Sequence, residues 1–199
     1  MRAEAPRARN QPDWDGLFAV AQAQSGYFTT AQAARSGYSR PLLHKYLATG
    51  KMTRVRRGIF RIVHFPASEH EDLVVLWLWA EQVGVFSHET ALALHDLSDA
   101  LPGKVYLTVP SSWRRRRLRV PAGLVLHFAD VGDSDRASYS AVPVTAPLRT
   151  LRDCIEAEVA HDLVRQGILQ ARRRGIVSAK DEARLLAELG SRSRTAAAR

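Results

Sequence analysis

The chain has 199 residues, 46% hydrophobic and 25% charged, ordinary proportions for a globular protein with one large or two small cores. A formal net charge of +9 and a pI near 10.4 favour polyanionic partners, nucleic acid first and an anionic membrane surface second. The single cysteine, Cys154, excludes an internal disulfide and a thiolate zinc site. The longest apolar run, residues 73–80, is too short to span a bilayer, and no secretory signal is evident, so a cytoplasmic location is expected.

In chain order, residues 1–11 are basic and aperiodic and are expected to form a disordered leader. Pro12-Asp13 opens a helix in which Trp14, Leu17, Phe18, Ala21 and Gln24 share an apolar face, ending at Ser25-Gly26. Thr29-Thr30-Ala31-Gln32 is a capping box: the Thr29 hydroxyl takes the backbone N–H of Gln32 while the Gln32 side chain reaches back. The short helix it starts stops at Ser36-Gly37. Ser39 caps a second helix with Pro41 in its first turn, where a missing N–H costs nothing, and Gly50 ends it.

On that second helix Leu43, Tyr46 and Leu47 recur at core-facing spacing, which leaves Arg40, His44, Lys45 and Ala48 on the opposite face. Thr53-Arg54-Val55-Arg56-Arg57, Gly58 and Ile59-Phe60-Arg61-Ile62 then read as a hairpin around a glycine. Two short helices followed by a basic hairpin are the order of a winged helix-turn-helix, expected over residues 12–65. A small, donor-rich helix face suits a major groove. Arg40, His44 and Lys45 are therefore candidates for base edges, Ser39 and Thr30 for phosphates at helix N-termini, and Arg54, Arg56, Arg57 and Arg61 for the wing. The competing reading of those arginines is a solvated hairpin face.

His64-Phe65-Pro66-Ala67 reads as a linker, and residues 68–189 as a second, mixed α/β domain of short strands and helices, giving an α+β fold overall. Its first helix starts at a second capping box, Ser68 to Glu71, and runs to about Gln82. It is apolar on all sides and so must be covered on all sides. A short helix follows Ser87, over residues 88–97. Strands are expected at residues 104–110, 118–120, 124–128 and 142–145, helices from Pro147 onward with a last one capped by Ser178, and a frayed basic tail at 190–199. Arg114, Arg115, Arg116, Arg117 and Arg119 form the densest charge block, a possible second basic surface for phosphates or an acidic partner, or else a solvated loop.

These residues resemble the AbiEi family, the antitoxins of abortive-infection type IV toxin-antitoxin systems. The resemblance is carried by Gly26-Tyr27-Phe28-Thr29-Thr30-Ala31-Gln32-Ala33-Ala34, Gly37-Tyr38-Ser39, Leu47 to Gly50 and above all Arg54-Val55-Arg56-Arg57-Gly58-Ile59-Phe60-Arg61. It continues more loosely through Phe86-Ser87-His88-Glu89-Thr90-Ala91-Leu92, Val105 to Pro110, and Pro143-Val144-Thr145 with Arg149-Thr150-Leu151-Arg152-Asp153. The resemblance implies a DNA-binding antitoxin that represses its own operon through the N-terminal module and counters a nucleotidyltransferase-like toxin. Its second domain is short and carries its own arginine run, which leaves open a free-standing regulator or a module that binds an acidic partner. Oligomeric state stays open too, a dimer on DNA being compatible with such a module.

No catalytic group, metal or cofactor is expected. Ser87-His88-Glu89, His95 and Asp96 share one short helix on which adjacent residues do not face each other, and no nucleophile elbow precedes them. His64 and His70 lack a third ligand at metal spacing. A restriction-type nuclease needs a carboxylate two positions before a lysine. Lys45, Lys51, Lys104 and Lys180 are preceded there by Leu43, Thr49, Pro102 and Ser178.

Overall fold

The computed structural model describes residues 11–197; the leader expected over residues 1–11 lies outside the described residues except for Gln11. The chain divides into two compact units, the first ending at Gln82 and the second starting at Val83. Each combines helices with its own sheet, so the class is α+β.

In the first unit Asp13 caps α1 (Trp14–Gln22) by accepting from the Gly16 N–H at 3.0 Å. Leu17 and Ala21 on this helix are fully buried, whereas Trp14 and Phe18, expected in the same stripe, lie half-exposed at its margin against Tyr46 and Phe65. A strand the sequence did not announce, β1 (Tyr27–Thr29), comes next. Thr29 then caps α2 (Thr30–Arg35) with both bonds of the capping box made: Gln32 N–H to Thr29 Oγ1 at 3.2 Å and Thr29 N–H to Gln32 Oε1 at 2.7 Å. Ser39 caps α3 (Arg40–Ala48), and the hairpin of β2 (Met52–Arg56) and β3 (Ile59–Ile62) follows. The sheet order is β1-β3-β2, antiparallel throughout. Leu17, Phe28, Tyr38, Leu43, Met52 and Phe60 meet in one core beneath it.

The helix assigned from sequence to the second domain, α4 (Glu71–Trp79), belongs instead to the first unit. Its N-terminal Glu71 is the reason. One carboxylate oxygen accepts from the Tyr27 hydroxyl at 2.6 Å, and the other accepts from Arg61 Nη2 at 2.8 Å and from the Ser68 N–H at 2.9 Å. These bonds tie α4 to β1 and β3 across more than forty residues of sequence to Tyr27. The helix ends at Trp79, short of the expected Gln82, because Glu81 and Gln82 both turn left-handed, with φ of 55° and 63°.

The second unit is built on β4 (Val85–Phe86), α5 (His88–Leu94), β5 (Val105–Val109), β6 (Leu124–Phe128), β7 (Arg136–Tyr139) and β8 (Val142–Thr145), followed by α6 (Pro147–Glu156), α7 (His161–Arg173) and α8 (Ala179–Ala197). Its sheet runs β6-β5-β4-β8-β7, with β5/β6 and β4/β8 parallel and the other two pairs antiparallel. Residues 118–120, expected as a strand, are irregular: β6 alone continues the sheet beside β5, and the charged side chains around Leu118 have no sheet face to bury. The tail expected to fray from residue 190 continues α8 to Ala197. Leu92, Leu151, Cys154, Ile168 and Leu185 fill the helical core, where α7 approaches so closely that a Cβ at Gly167 would stand 3.0 Å from Leu92 Cδ1. Cys154 is fully buried, and burial pushes its thiol well above the ordinary range.

Burial alone raises the Glu71 pKa, but its bonds from Tyr27, Ser68 and Arg61 outweigh that and hold it below the usual 4.5. A carboxylate with a depressed folded pKa adds stability above its unfolded pKa and loses it as pH falls through the folded one. Glu71→Gln is therefore expected to lower unfolding free energy by about 1–3 kcal/mol at pH 7, with the gap closing as Glu71 protonates. Urea unfolding of both proteins at pH 7 and pH 3 checks this, and equal midpoints at pH 7 would contradict it.

Candidate nucleic-acid interface

The helix pair is held at a fixed angle by its turn. Gly37 has φ of 79°, and a Cβ there would meet the Gln11 carbonyl oxygen at 2.9 Å, so only glycine fits without displacement. Tyr38 follows, buried and edge-on to Tyr46 with ring centroids 5.6 Å apart, which seats the start of α3 on the core. Burial, followed by the neighbouring Tyr46, pushes the Tyr38 hydroxyl up to about 12. With Leu43, Tyr46 and Leu47 turned inward, the outward face carries Arg40, His44, Lys45 and Ala48, all exposed as expected. Ser39, at the head of this face, accepts from the Leu42 N–H at 3.4 Å and is itself exposed.

The hairpin stands beside that face with Arg54, Arg56 and Arg57 exposed. A register shift puts Arg54 opposite Phe60 and Arg56 opposite Ile59, so Val55 is the extra residue of a bulge and is 41% exposed. The turn at Gly58 is fastened to α2: its carbonyl accepts from the Thr30 backbone N–H at 2.9 Å and from the Thr30 hydroxyl at 3.4 Å. Thr30 was expected to offer its hydroxyl to a phosphate. That donor is already committed to Gly58.

Arg61 was expected on the wing and is instead turned inward. Its guanidinium lies 5.5 Å from the Tyr27 ring centre and binds Glu71 and, at 3.0 Å, the Phe65 carbonyl. Charge and packing choose here: β3 is the central strand, so a side chain on it has a partner on each side, whereas β2 is an edge. Arg35 on α2 and Lys51 between α3 and β2 are exposed basic residues on the same unit that helix and hairpin periodicity did not single out. Counting every cation between the capping box and the hairpin would have found them.

In the second unit Arg114, Arg115, Arg116, Arg117 and Arg119 are all exposed, on a 3-10 turn (Ser111–Arg115) and the irregular segment after it. Buried Trp113 anchors the turn. Arg116 stacks over the Trp113 ring at 4.1 Å, and Arg114 lies over Phe128 at 5.5 Å.

Ser87 and His88, expected not to meet, are hydrogen-bonded, Ser87 Oγ to His88 Nδ1 at 2.8 Å. The cause is local: His88 has φ of 54°, so the two residues do not follow one helical turn. Thr108 Oγ1 also donates to Ser87 Oγ, at 2.7 Å. Ser87 is fully buried and His88 nearly so, its ring stacked 3.6 Å from the His127 ring. Burial first, then His127 and Arg149, push the His88 pKa down to about 3. Among the described residues no group of three or more His, Cys, Asp or Glu side chains is arranged to hold a metal ion, and no helix is long and apolar enough to cross a membrane.

Residues 17–63, from within α1 through the hairpin, match the family model described as transcriptional regulator, AbiEi antitoxin. No curated protein matches the chain. Among solved structures, the crystal structure of the RV2827C protein from Mycobacterium tuberculosis covers 93% of this chain and 84% of its own at 12% identity, with a TM-score of 0.43.

The stacked histidines give the second unit a pH dependence. Unfolded His88 protonates near 6.5 and folded His88 only near 3, so its neutral burial costs nothing above pH 6.5 and destabilises progressively as pH falls between those values. The expected slope approaches ~1.4 kcal/mol per pH unit from this group. Asparagine tolerates the left-handed backbone, so His88→Asn isolates the effect. Urea melts from pH 7 to pH 4 should show a flatter decline for His88→Asn, and parallel curves would refute it.

Proposed function

We propose that this chain is a cytoplasmic, non-catalytic DNA-binding antitoxin that represses its own operon through the winged helix-turn-helix and counters a nucleotidyltransferase-like toxin. The observation that carries the DNA-binding part is the exposed Arg40, His44 and Lys45 face of α3 beside three exposed hairpin arginines, within the segment that matches a transcriptional-regulator family. Arg40, His44 and Lys45 read base edges in the major groove, Ser39 contacts a phosphate at the N-terminus of α3, and Arg54, Arg56 and Arg57 hold the flanking backbone. Thr30 and Arg61 leave this set, because their donors serve Gly58, Phe65 and Glu71.

The toxin-directed part rests on the family's description alone, and that match ends at residue 63. A regulator without a toxin is therefore the second reading. Growth rescue separates the two: co-expression with a toxin encoded beside this chain restores growth under the first and leaves it arrested under the second.

Fluorescence anisotropy on the chain's own upstream DNA against a scrambled duplex, titrated with salt, tests the DNA-binding part. Tighter binding to the upstream DNA at physiological salt is expected. Arg40→Ala should reduce the preference by about 1–3 kcal/mol if Arg40 grips a guanine. Arg57→Ala should weaken both duplexes alike and reduce the salt slope by about 1. An Arg40→Ala protein with unchanged preference would sink the base-reading assignment.

A further inference from the structure

We propose that the arginine turn of the second unit is a second binding surface for duplex DNA, one that grips phosphates without reading bases. The inference rests on the DNA-binding reading above and extends it beyond the winged helix-turn-helix.

Positive charge is concentrated there along the sequence. From Lys104 to Ala129 the chain has six cationic side chains and no carboxylate. The next acid, Asp130, is bound by the Ser111 hydroxyl at 2.6 Å and the Ser111 N–H at 3.2 Å, and these bonds hold its pKa low. Asp130 thus fastens the base of the turn.

The turn is also ordered in advance. Trp113 is 5% exposed and fixes its middle, while the guanidinium groups of Arg114 and Arg116 rest on the Phe128 and Trp113 rings, Arg114 also donating to the Phe128 carbonyl at 3.3 Å. A stacked guanidinium gives up less freedom on binding. Beyond it the backbone is extended at Arg116, with φ of −78° and ψ of 139°. Arg115, Arg117 and Arg119, all exposed, lie within five residues of one another, so the segment offers several charges rather than a single point.

The chemistry favours phosphates over an acidic protein. A protein interface draws its energy from buried aromatic or aliphatic anchors ringed by polar contacts. Within residues 111–120 the aromatic is already buried, and the only exposed large apolar side chain is Val120, at 44%. A run of cations without an apolar anchor suits a polyanion that is itself a row of charges.

The test is the full chain carrying Arg115→Gln, Arg117→Gln and Arg119→Gln together, with Arg114 and Arg116 retained because they hold the turn. Unchanged thermal melting establishes that the variant is folded. Binding to the upstream and scrambled duplexes should weaken alike, their ratio staying constant, and the slope of log affinity against log salt should become shallower by about 2–3, at ~0.9 per lost phosphate contact. A slope equal to that of the unsubstituted protein overturns the proposal. So does an unchanged slope combined with lost binding to poly-glutamate, which would make the turn an acidic-protein site. If the unsubstituted protein shows no preference for its upstream DNA yet the slope still falls in the variant, the phosphate surface stands and operator recognition fails. If the preference is present and the slope does not move, operator recognition stands and the phosphate surface fails.

Discussion

The side-chain amide of Gln32 is the point on which the first unit depends. Its oxygen accepts the Thr29 N–H and completes the cap of α2, while its nitrogen donates to Gln24 Oε1 at 2.8 Å, beneath α1. Gln82 donates to the same Gln24 oxygen at 2.8 Å, and Gln24 in turn donates to the Tyr27 carbonyl at 2.9 Å. Three amides thus satisfy one another, two of them buried, Gln24 and Gln32, where an unpaired one would cost on the order of 1–3 kcal/mol. Through them the start of α2, the entry to β1 and the segment after α4 have one geometry. The angle at which α3 is presented follows from that of α2, because only the short Ser36-Gly37 turn, Tyr38 and the cap residue Ser39 separate them.

Arginine content overstates the charge available to a partner. Arg61 lies in the run that most resembles a wing, yet it serves Glu71, Phe65 and Tyr27. Arg149 likewise binds Asp153 at 2.6 Å and Asp135 at 3.0 Å, joining α6 to the start of β7. Beside it the Thr150 hydroxyl donates to the Thr145 carbonyl at 2.9 Å. The segment from Pro143 to Asp153 that carries the looser family resemblance is therefore a lock between sheet and helix.

The helix-turn-helix and its hairpin were legible because their signals are local. A capping box, a proline in a first turn and a glycine at a hairpin turn each act within four residues. What escaped was decided at long range. β1 is three residues long and exists because β3 pairs with it. β4 has two residues, and its neighbours β5 and β8 come from well down the chain. The placement of α4 hung on Glu71 finding Tyr27 and Arg61, which no periodicity encodes. Of the candidate interface, the α3 face was readable from spacing alone, but the inward turn of Arg61 required knowing that β3 is the central strand.

The position of β2 has a bearing on how the protein behaves in concentrated solution. It is the outer strand of its sheet, with residues 53–57 all exposed, and an outer strand offers unpaired N–H and C=O groups to any other strand that approaches. Arginines on it and a bulge at Val55 repel or misalign such a strand. The same side chains that give the hairpin its charge therefore keep one copy of this sheet from adding to another, and a sequence that shed them would trade away solubility together with charge.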